Sequence, residues 1–174
     1  MYDGGKDFRT LFPIDVERIF ALLPPDQEKT HLDIGCGTGG LTRDMFHRGY
    51  ASTGIDPSSS AIERAKAATV YLDRGINYVC DDFDSVDLAE GPYSLITCKL
   101  VYAFFQDKAK CAEKIRSLLS SDGSLVLVTK VHNSEEDATL ISADRQEVRD
   151  TLGSTFSKVQ ELDLEWATCF VCQK

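Results

Sequence analysis

The sequence predicts an α/β fold: a doubly wound, mostly parallel sheet with helices on both faces. Three observations predict it. Short β-rich runs alternate with helical patterns from Thr30 to the end of the 174-residue chain. The run "SLVLVTKV" (residues 124–131) is apolar on both faces, as a buried parallel strand should be. The first strand also leads directly into "GCGTG", three glycines in five residues, and then into a helix.

The elements follow in order. "VERIFALLPP" (16–25) is an amphipathic helix ended by Pro24 and Pro25. "THLDI" (30–34) is the first strand, and "LTRDMFHRG" (41–49) is a short helix closed by Gly49. "ASTGID" (51–56) is the second strand. The helix "SSSAIERAKAATVYLDRG" (58–75) follows, with serines as N-cap and Gly75 as its stop. "INYVC" (76–80) and "YSLITCKL" (93–100) are strands three and four. "DKAKCAEKIRSLL" (107–119) is an amphipathic helix, "SSDG" (120–123) a turn, and residues 124–131 the fifth strand. "SADRQEVRDTL" (142–152) reads as a further helix, and residues 156–174 as two strands of an antiparallel hairpin. There is no repeat, low-complexity segment or interdomain linker. The expectation is one domain over residues 1–174, with 1–27 as an N-terminal lid and helix segment.

Bulk properties narrow the function. The formal charge of −9 and the pI near 4.8 repel phosphate polymers, and no Lys/Arg run offsets them. Nucleic acid and anionic membranes are therefore disfavoured, and a small molecule is the expected partner. The apolar fraction of 43% and mean hydropathy of −0.20 are those of an ordinary globular protein. No apolar run nears the roughly 20 residues needed to cross a bilayer, and "MYDGGKDFRT" has no signal-peptide core, so a cytoplasmic location is expected. The six cysteines (Cys36, Cys80, Cys98, Cys111, Cys169 and Cys172) are scattered, which reads as reduced thiols. "CFVC" lacks a second Cys pair or a nearby His to complete a zinc site. It lies in a strand pattern that would send its two thiols to opposite faces, which reads as buried small hydrophobes.

The glycine loop carries the chemistry. Gly35, Gly37 and Gly40 fit G-x-G-x-x-G, where glycine permits a tight turn and close ligand approach. Asp56 ends the second strand about 20 residues on, where a carboxylate can hold ribose hydroxyls. That much fits NAD or any adenosine-containing cofactor. Asp33, two residues before the first glycine, separates these readings. A carboxylate is unfavourable beside a pyrophosphate and favourable beside the ammonium and sulfonium of S-adenosylmethionine (SAM). Asp82, at the end of the third strand, could accept from an adenine amine while Phe83 packs beside the ring. Acidic residues thus close three successive strands at the carboxyl edge, where open α/β sheets bind ligands.

"HLDIGCGTGG", "GIDPS" and "CDDFD", with "LLSSDGSLVLVTK" downstream, resemble the motifs of class I SAM-dependent methyltransferases in their expected order from Thr30 to Val131. The resemblance implies a Rossmann-like, seven-stranded sheet whose last two strands are the C-terminal hairpin. It implies SAM as cofactor and S-adenosylhomocysteine as product. Asp33, Gly35, Cys36, Gly37, Thr38 and Gly39 would surround the methionine part, with Lys99 also on the cofactor side. Asp56 would hold the ribose, Pro57 and Ser58 would lie near the adenine, and Asp82 and Phe83 would hold it. One departure is Ser94, where members often carry an acidic residue at the start of the fourth strand; that residue usually supports structure.

Methyl transfer from a sulfonium needs alignment, and a base only where the acceptor must lose a proton. "CKLVYAFF" (98–105) would line the acceptor pocket, with Lys99, Tyr102 and Phe105 as candidates. His132, just after the fifth strand, is a candidate base. Tyr2 and Asp3 could close over the site. No Asn/Asp-Pro-Pro-Tyr motif or Pro-Cys nucleophile is present, and no carboxylate set for Mg²⁺, so no metal is expected. What remains is methylation of a small molecule, as in quinone or natural-product biosynthesis, by a monomer or homodimer. Two other functions stay open: a non-catalytic SAM-binding module or subunit of a larger enzyme, and a nicotinamide-dependent oxidoreductase. The second has only the pair Tyr2 and Lys6, which precedes the glycine loop.

Overall fold

Strand order places the site before any side chain does. The computed structural model describes residues 10–25, 29–72, 75–88, 91–139 and 141–174. The strands are β1 (Thr30–Ile34), β2 (Ala51–Asp56), β3 (Ile76–Cys80), β4 (Tyr93–Lys99), β5 (Leu119–His132), β6 (Ser142–Asp144), β7 (Lys158–Asp163) and β8 (Thr168–Gln173). They form one sheet in the order β3-β2-β1-β4-β5-β8-β7. Strands β1 to β5 pair in parallel, and β8 is antiparallel to both β5 and β7. The order reverses between β1 and β4, so a crevice opens at their carboxyl ends, where such sheets bind ligands.

Among the described residues five α-helices cover the sheet: α1 (Pro13–Phe20), α2 (Gly40–His47), α3 (Ser59–Ala67), α4 (Lys108–Leu118) and α5 (Arg145–Thr155). On one face Ile19 of α1 and Met45 of α2 pack with Leu95, Val126, Val128, Cys169 and Val171. On the other, Cys111, Ala112 and Ile115 of α4 and Val148 and Leu152 of α5 pack with Leu32, Ile96, Cys98, Leu127, Phe170 and Cys172. Cys169 and Cys172 thus bury their thiols on opposite faces, as strand periodicity requires. Burial pushes the Cys169 thiol up to about 12 and raises that of Cys172 too, so both act as core hydrophobes.

The structure departs from the expected elements in four places. An eighth strand, β6, pairs with the end of β5, because residues 142–144 are extended and the helix starts only at Arg145. Asp144 is its cap: its carboxylate accepts from the Glu147 amide at 2.8 Å. The expected turn at 120–123 lies inside β5 as a register shift between Tyr93 and Leu95 of the partner strand. Helix α3 stops at Ala67 rather than running to Gly75, and the Thr69 hydroxyl donates back to the Ala65 and Lys66 carbonyls at 3.0 Å each. The first helix starts at Pro13, where proline suits a first turn, and ends at Phe20. Ser94 supports structure: it donates to the Thr30 carbonyl at 2.9 Å and its amide donates to the Thr30 hydroxyl at 3.0 Å, tying the starts of β1 and β4. Among the described residues no helix is long and apolar enough to cross a membrane.

Candidate cofactor and active site

The loop between β1 and α2 holds three glycines in the left-handed region, with φ of +67° at Gly35, +53° at Gly37 and +77° at Gly39. Two are packed tight. A Cβ on Gly35 would stand 2.1 Å from Val101 Cγ2, and one on Gly39 would stand 2.4 Å from the Tyr78 hydroxyl oxygen. Gly37 differs, since a Cβ there would meet nothing within 4 Å. The loop is thus locked at both ends and open in the middle. Cys36 turns its side chain inward, against Gly54 of β2 and among Ile62, Ala65 and Tyr78, so only its backbone belongs to the loop surface. Thr38 uses its carbonyl to accept from the Arg43 guanidinium at 2.7 Å.

Asp56 sits across the loop. Its Oδ2 accepts from the Gly37 amide and its Oδ1 from the Ser58 amide, both at 2.9 Å. One carboxylate therefore holds the open glycine and the start of α3, and each oxygen keeps a lone pair for another donor. Ser58 caps α3 by accepting from the Ala61 amide. Pro57 is exposed, and its carbonyl faces the Cys80 thiol at 3.9 Å.

Asp33 ends β1 below the loop and is only 2% exposed. The Thr42 hydroxyl donates to its Oδ2 and the Thr97 hydroxyl to its Oδ1, each at 2.7 Å. His31 lies behind Thr97, with its Nε2 2.9 Å from Thr97 Oγ1 and its Nδ1 3.2 Å from Ser52 Oγ. The donor directions follow from charge. An ionised Asp33 can only accept, so Thr97 donates to it and takes its own hydrogen bond from His31 Nε2–H; the Ser52 hydroxyl then donates to Nδ1. Burial pushes Asp33 up to about 6, against the pull of Thr42, Thr97 and nearby Lys99. Burial holds His31 down at about 3, so the ring is neutral. Sequence reasoning missed His31, Thr42 and Thr97. A signal existed in the strand alternation, which puts His31 and Asp33 on one face and Thr97 beside Asp33 once β1 pairs with β4.

At the end of β3, Asp82 is exposed at the rim and accepts from the Asp84 amide at 3.0 Å. Phe83, the other residue expected at the adenine, turns its ring inward. It is 4% exposed, tilted against Phe105 with ring centroids 6.1 Å apart, and so supports the turn from the core side. Tyr102 sits in a 3-10 turn (Tyr102–Phe104), 2% exposed, edge-on to Phe105 and packed towards α4 and α5. Burial raises its hydroxyl to about 12. It belongs to the core on that face, and Phe105 is buried with it.

Lys99 ends β4 and lines a small apolar pocket of about 30 Å³. Its walls are Ile19 and Phe20 of α1, Leu41 and Met45 of α2, and Val126 and Val128 of β5. The next residue, Leu100, has a φ of +62°, an uncommon backbone for a branched residue, held by a 2.7 Å hydrogen bond from its amide to the Val128 carbonyl. His132 stands at the far end of β5, with Nδ1 2.9 Å from Ser142 Oγ, beside β6. The structure thus gathers Asp33, the glycine loop, Asp56 and Lys99 around the β1–β4 crevice and ties His132 to β6 instead. Tyr2 and Asp3 lie outside the described residues.

A parallel sheet with an antiparallel β8–β7 edge, and a left-handed glycine loop between two carboxylates, define the class I SAM-dependent methyltransferase architecture. The methyltransferase domain family matches residues 32–127, more than half of the chain, and the chain belongs to that family. Its relatives include the ubiquinone biosynthesis O-methyltransferase of Coxiella burnetii, 30% identical over 98 residues, which cover 56% of this chain and 42% of the relative. Another is the enzyme of the same name from Nitrosomonas europaea, 28% identical over 137 residues, 76% of this chain and 58% of the relative. The chain thus spans about half the length of the curated relatives it matches. Among solved structures, a SAM-dependent methyltransferase from Aquifex aeolicus superposes with a TM-score of 0.75 at 16% identity, over 94% of this chain and 89% of that one. The magnesium protoporphyrin IX methyltransferase of Synechocystis PCC 6803, solved with bound SAM, gives 0.69 at 16% identity, over 92% and 76%. At such identities the likeness is one of fold.

Proposed function

We propose that this chain is a cytoplasmic, single-domain enzyme that transfers a methyl group from SAM to a small-molecule acceptor by in-line displacement. The observation that carries the reading is the open space at Gly37 beside the Asp56 carboxylate, which accepts from its amide at 2.9 Å, with Asp33 buried near the end of β1. Two carboxylates at a glycine loop suit a ligand bearing positive charge and hydroxyl donors, and oppose a pyrophosphate. The residues present therefore fit SAM, which when bound supplies an electrophilic methyl group on sulfur.

Within this reading Asp56 keeps the loop open and offers lone pairs to ribose hydroxyls. Asp33, already saturated by two hydroxyls, contributes charge from below. Asp82 offers its carboxylate to an adenine amine. The small apolar pocket under α1 offers the acceptor an apolar wall beside Lys99, against which it can be aligned. The names of the two relatives direct a first acceptor screen to hydroxyl compounds. The charge of −9 makes a nucleic-acid acceptor unfavourable.

Calorimetric titration with S-adenosylhomocysteine, and separately with NAD⁺, tests the cofactor. Binding of the first alone is expected. Binding of NAD⁺ alone would replace this reading with the oxidoreductase one, and binding without turnover across the screen would assign a holding role. Asp56→Ala should weaken S-adenosylhomocysteine binding about ten- to a hundredfold, the worth of hydrogen bonds to a charged group. Unchanged affinity would place the cofactor elsewhere.

A further inference from the structure

Residues 82–86 leave β3 as a single helical turn. The Ser85 and Val86 amides both donate to the Asp82 carbonyl, at 3.2 and 2.9 Å. The Asp84 amide also donates to Asp82 Oδ1 at 3.0 Å, which fixes the carboxylate of an exposed side chain. One isolated turn is far too short to hold itself, since nucleating a helix costs more than its first hydrogen bonds return.

The brace comes from α4. Lys114 Nζ donates to the Phe83 carbonyl and, at 2.7 Å, to the Val86 carbonyl. These carbonyls lie towards the carboxyl end of the turn, where a cation also opposes the dipole. The same ammonium lies 4.7 Å from the Phe83 ring centroid, and Phe83 is clamped from behind by Phe105. One turn earlier on the same side of α4, the Cys111 thiol donates to Asp84 Oδ1 at 2.9 Å. Two side chains of one helix thus hold three residues of the turn, and Asp84 in turn orients Asp82.

We propose that Lys114, seconded by Cys111, is a positioning residue for base recognition: it fixes the turn that aims Asp82, and so sets the preference for a base with an exocyclic amine over one with a carbonyl in that place. This rests on the reading of the carboxyl edge as the SAM site. A loose turn would still hold the ribose and methionine parts through Asp56 and the glycine loop, and would lose the distinction between bases.

The test compares the affinities of S-adenosylhomocysteine and S-inosylhomocysteine, which differ at that amine, by calorimetry in wild type, Lys114→Met and Cys111→Ala. Methionine keeps an unbranched, apolar stem and removes the donors. Wild type should prefer the adenosyl compound by about tenfold or more, the worth of one charged hydrogen bond. Lys114→Met should bring the ratio close to one, and Cys111→Ala should lower it part of the way. A merely structural role would weaken both ligands equally and keep the ratio, which overturns the inference. Should Lys114→Met fail to fold, Cys111→Ala alone decides, and an unchanged ratio in that variant also overturns it. Equal affinities in wild type would instead remove the reading of Asp82 as the adenine acceptor, and this inference with it.

Discussion

The carboxyl ends of β1 and β2 and those of β4 and β5 border the same crevice and are built by different means. The first is backbone and buried hydrogen bonds: a left-handed glycine loop, Asp56 on two amides, and Asp33 beneath two hydroxyls. The second is side chains against apolar walls, with Lys99 at the rim, Leu100 in a left-handed backbone and a cavity under α1. A conserved chemistry of binding one cofactor can be written in backbone geometry, which tolerates few sequences. A choice of acceptor must be written in side-chain shape, which tolerates many. Among the contacts between the two halves, Gly35 lies against Val101 just beyond β4.

Substitution at that contact should have the largest effect on stability. In Gly35→Ala the new methyl would overlap Val101 Cγ2 at 2.1 Å on a backbone with φ of +67°. Overpacking and backbone strain together should cost about 2–6 kcal/mol in urea unfolding. Gly37→Ala meets no protein atom within 4 Å, so only its left-handed backbone counts against it, about 1–2 kcal/mol. If Gly37 faces the ligand, this second variant should lose S-adenosylhomocysteine affinity out of proportion to its stability. Equal stability losses in the two variants would show that the loop is not locked on Val101.

The buried network gives a pH-dependent test of the first half. Below about pH 6 the folded chain carries a proton on Asp33, while His31 stays neutral down to about 3. The unfolded chain does the reverse between pH 4 and 6: its histidine is protonated and its aspartate is not. Both states bind one proton at this pair, so the pair adds no pH slope to stability there. His31→Gln removes the histidine proton from the unfolded chain alone. The raised Asp33 then acts unopposed: its contribution is full below about pH 4 and is lost as pH rises through 6. Relative to wild type, the stability of His31→Gln should fall by about 3 kcal/mol over that window. Parallel urea midpoints for the two proteins from pH 4 to 7 would show that the two groups do not titrate as a buried pair.

The same contrast explains what the sequence made legible. The glycine spacing, the acid after each of three strands and the alternation of elements are local signals, and the left-handed loop with Asp56 and Asp33 near it follows from them. His31 and Thr97 were invisible as partners because they lie 66 residues apart and meet only through the register of β1 on β4. Phe83 and Tyr102 read as site aromatics because they stand next to site positions. Their side chains point to the core, since the turn after β3 and the 3-10 turn after β4 face them towards α4 and α5, a direction that adjacency in sequence does not encode. The late start of α5 was legible in principle, as Asp144 with Glu147 three residues on is a capping pattern.

Tyr102 supplies the finest test, because the smallest change separates pocket from core. Its ring lies with Phe105, Ala112, Ile115 and Leu152, on the face opposite the cavity that Lys99 lines. Lys108 holds its ammonium 5.8 Å from the ring centroid and pairs with Glu147 of α5 at 3.7 Å, closing that side. Tyr102→Phe keeps the ring, its packing and that cation contact, and removes only a hydroxyl that burial already keeps protonated to about pH 12. Stability should change by less than about 1 kcal/mol, the net worth of a neutral hydrogen bond. Methyl transfer to any acceptor found in the hydroxyl-compound screen should be unchanged across the pH range. A tenfold loss of turnover at constant stability would mean that the hydroxyl reaches the reacting atoms, and the division of the crevice into a backbone-built cofactor half and an acceptor half under α1 would have to be redrawn to include the α4–α5 face.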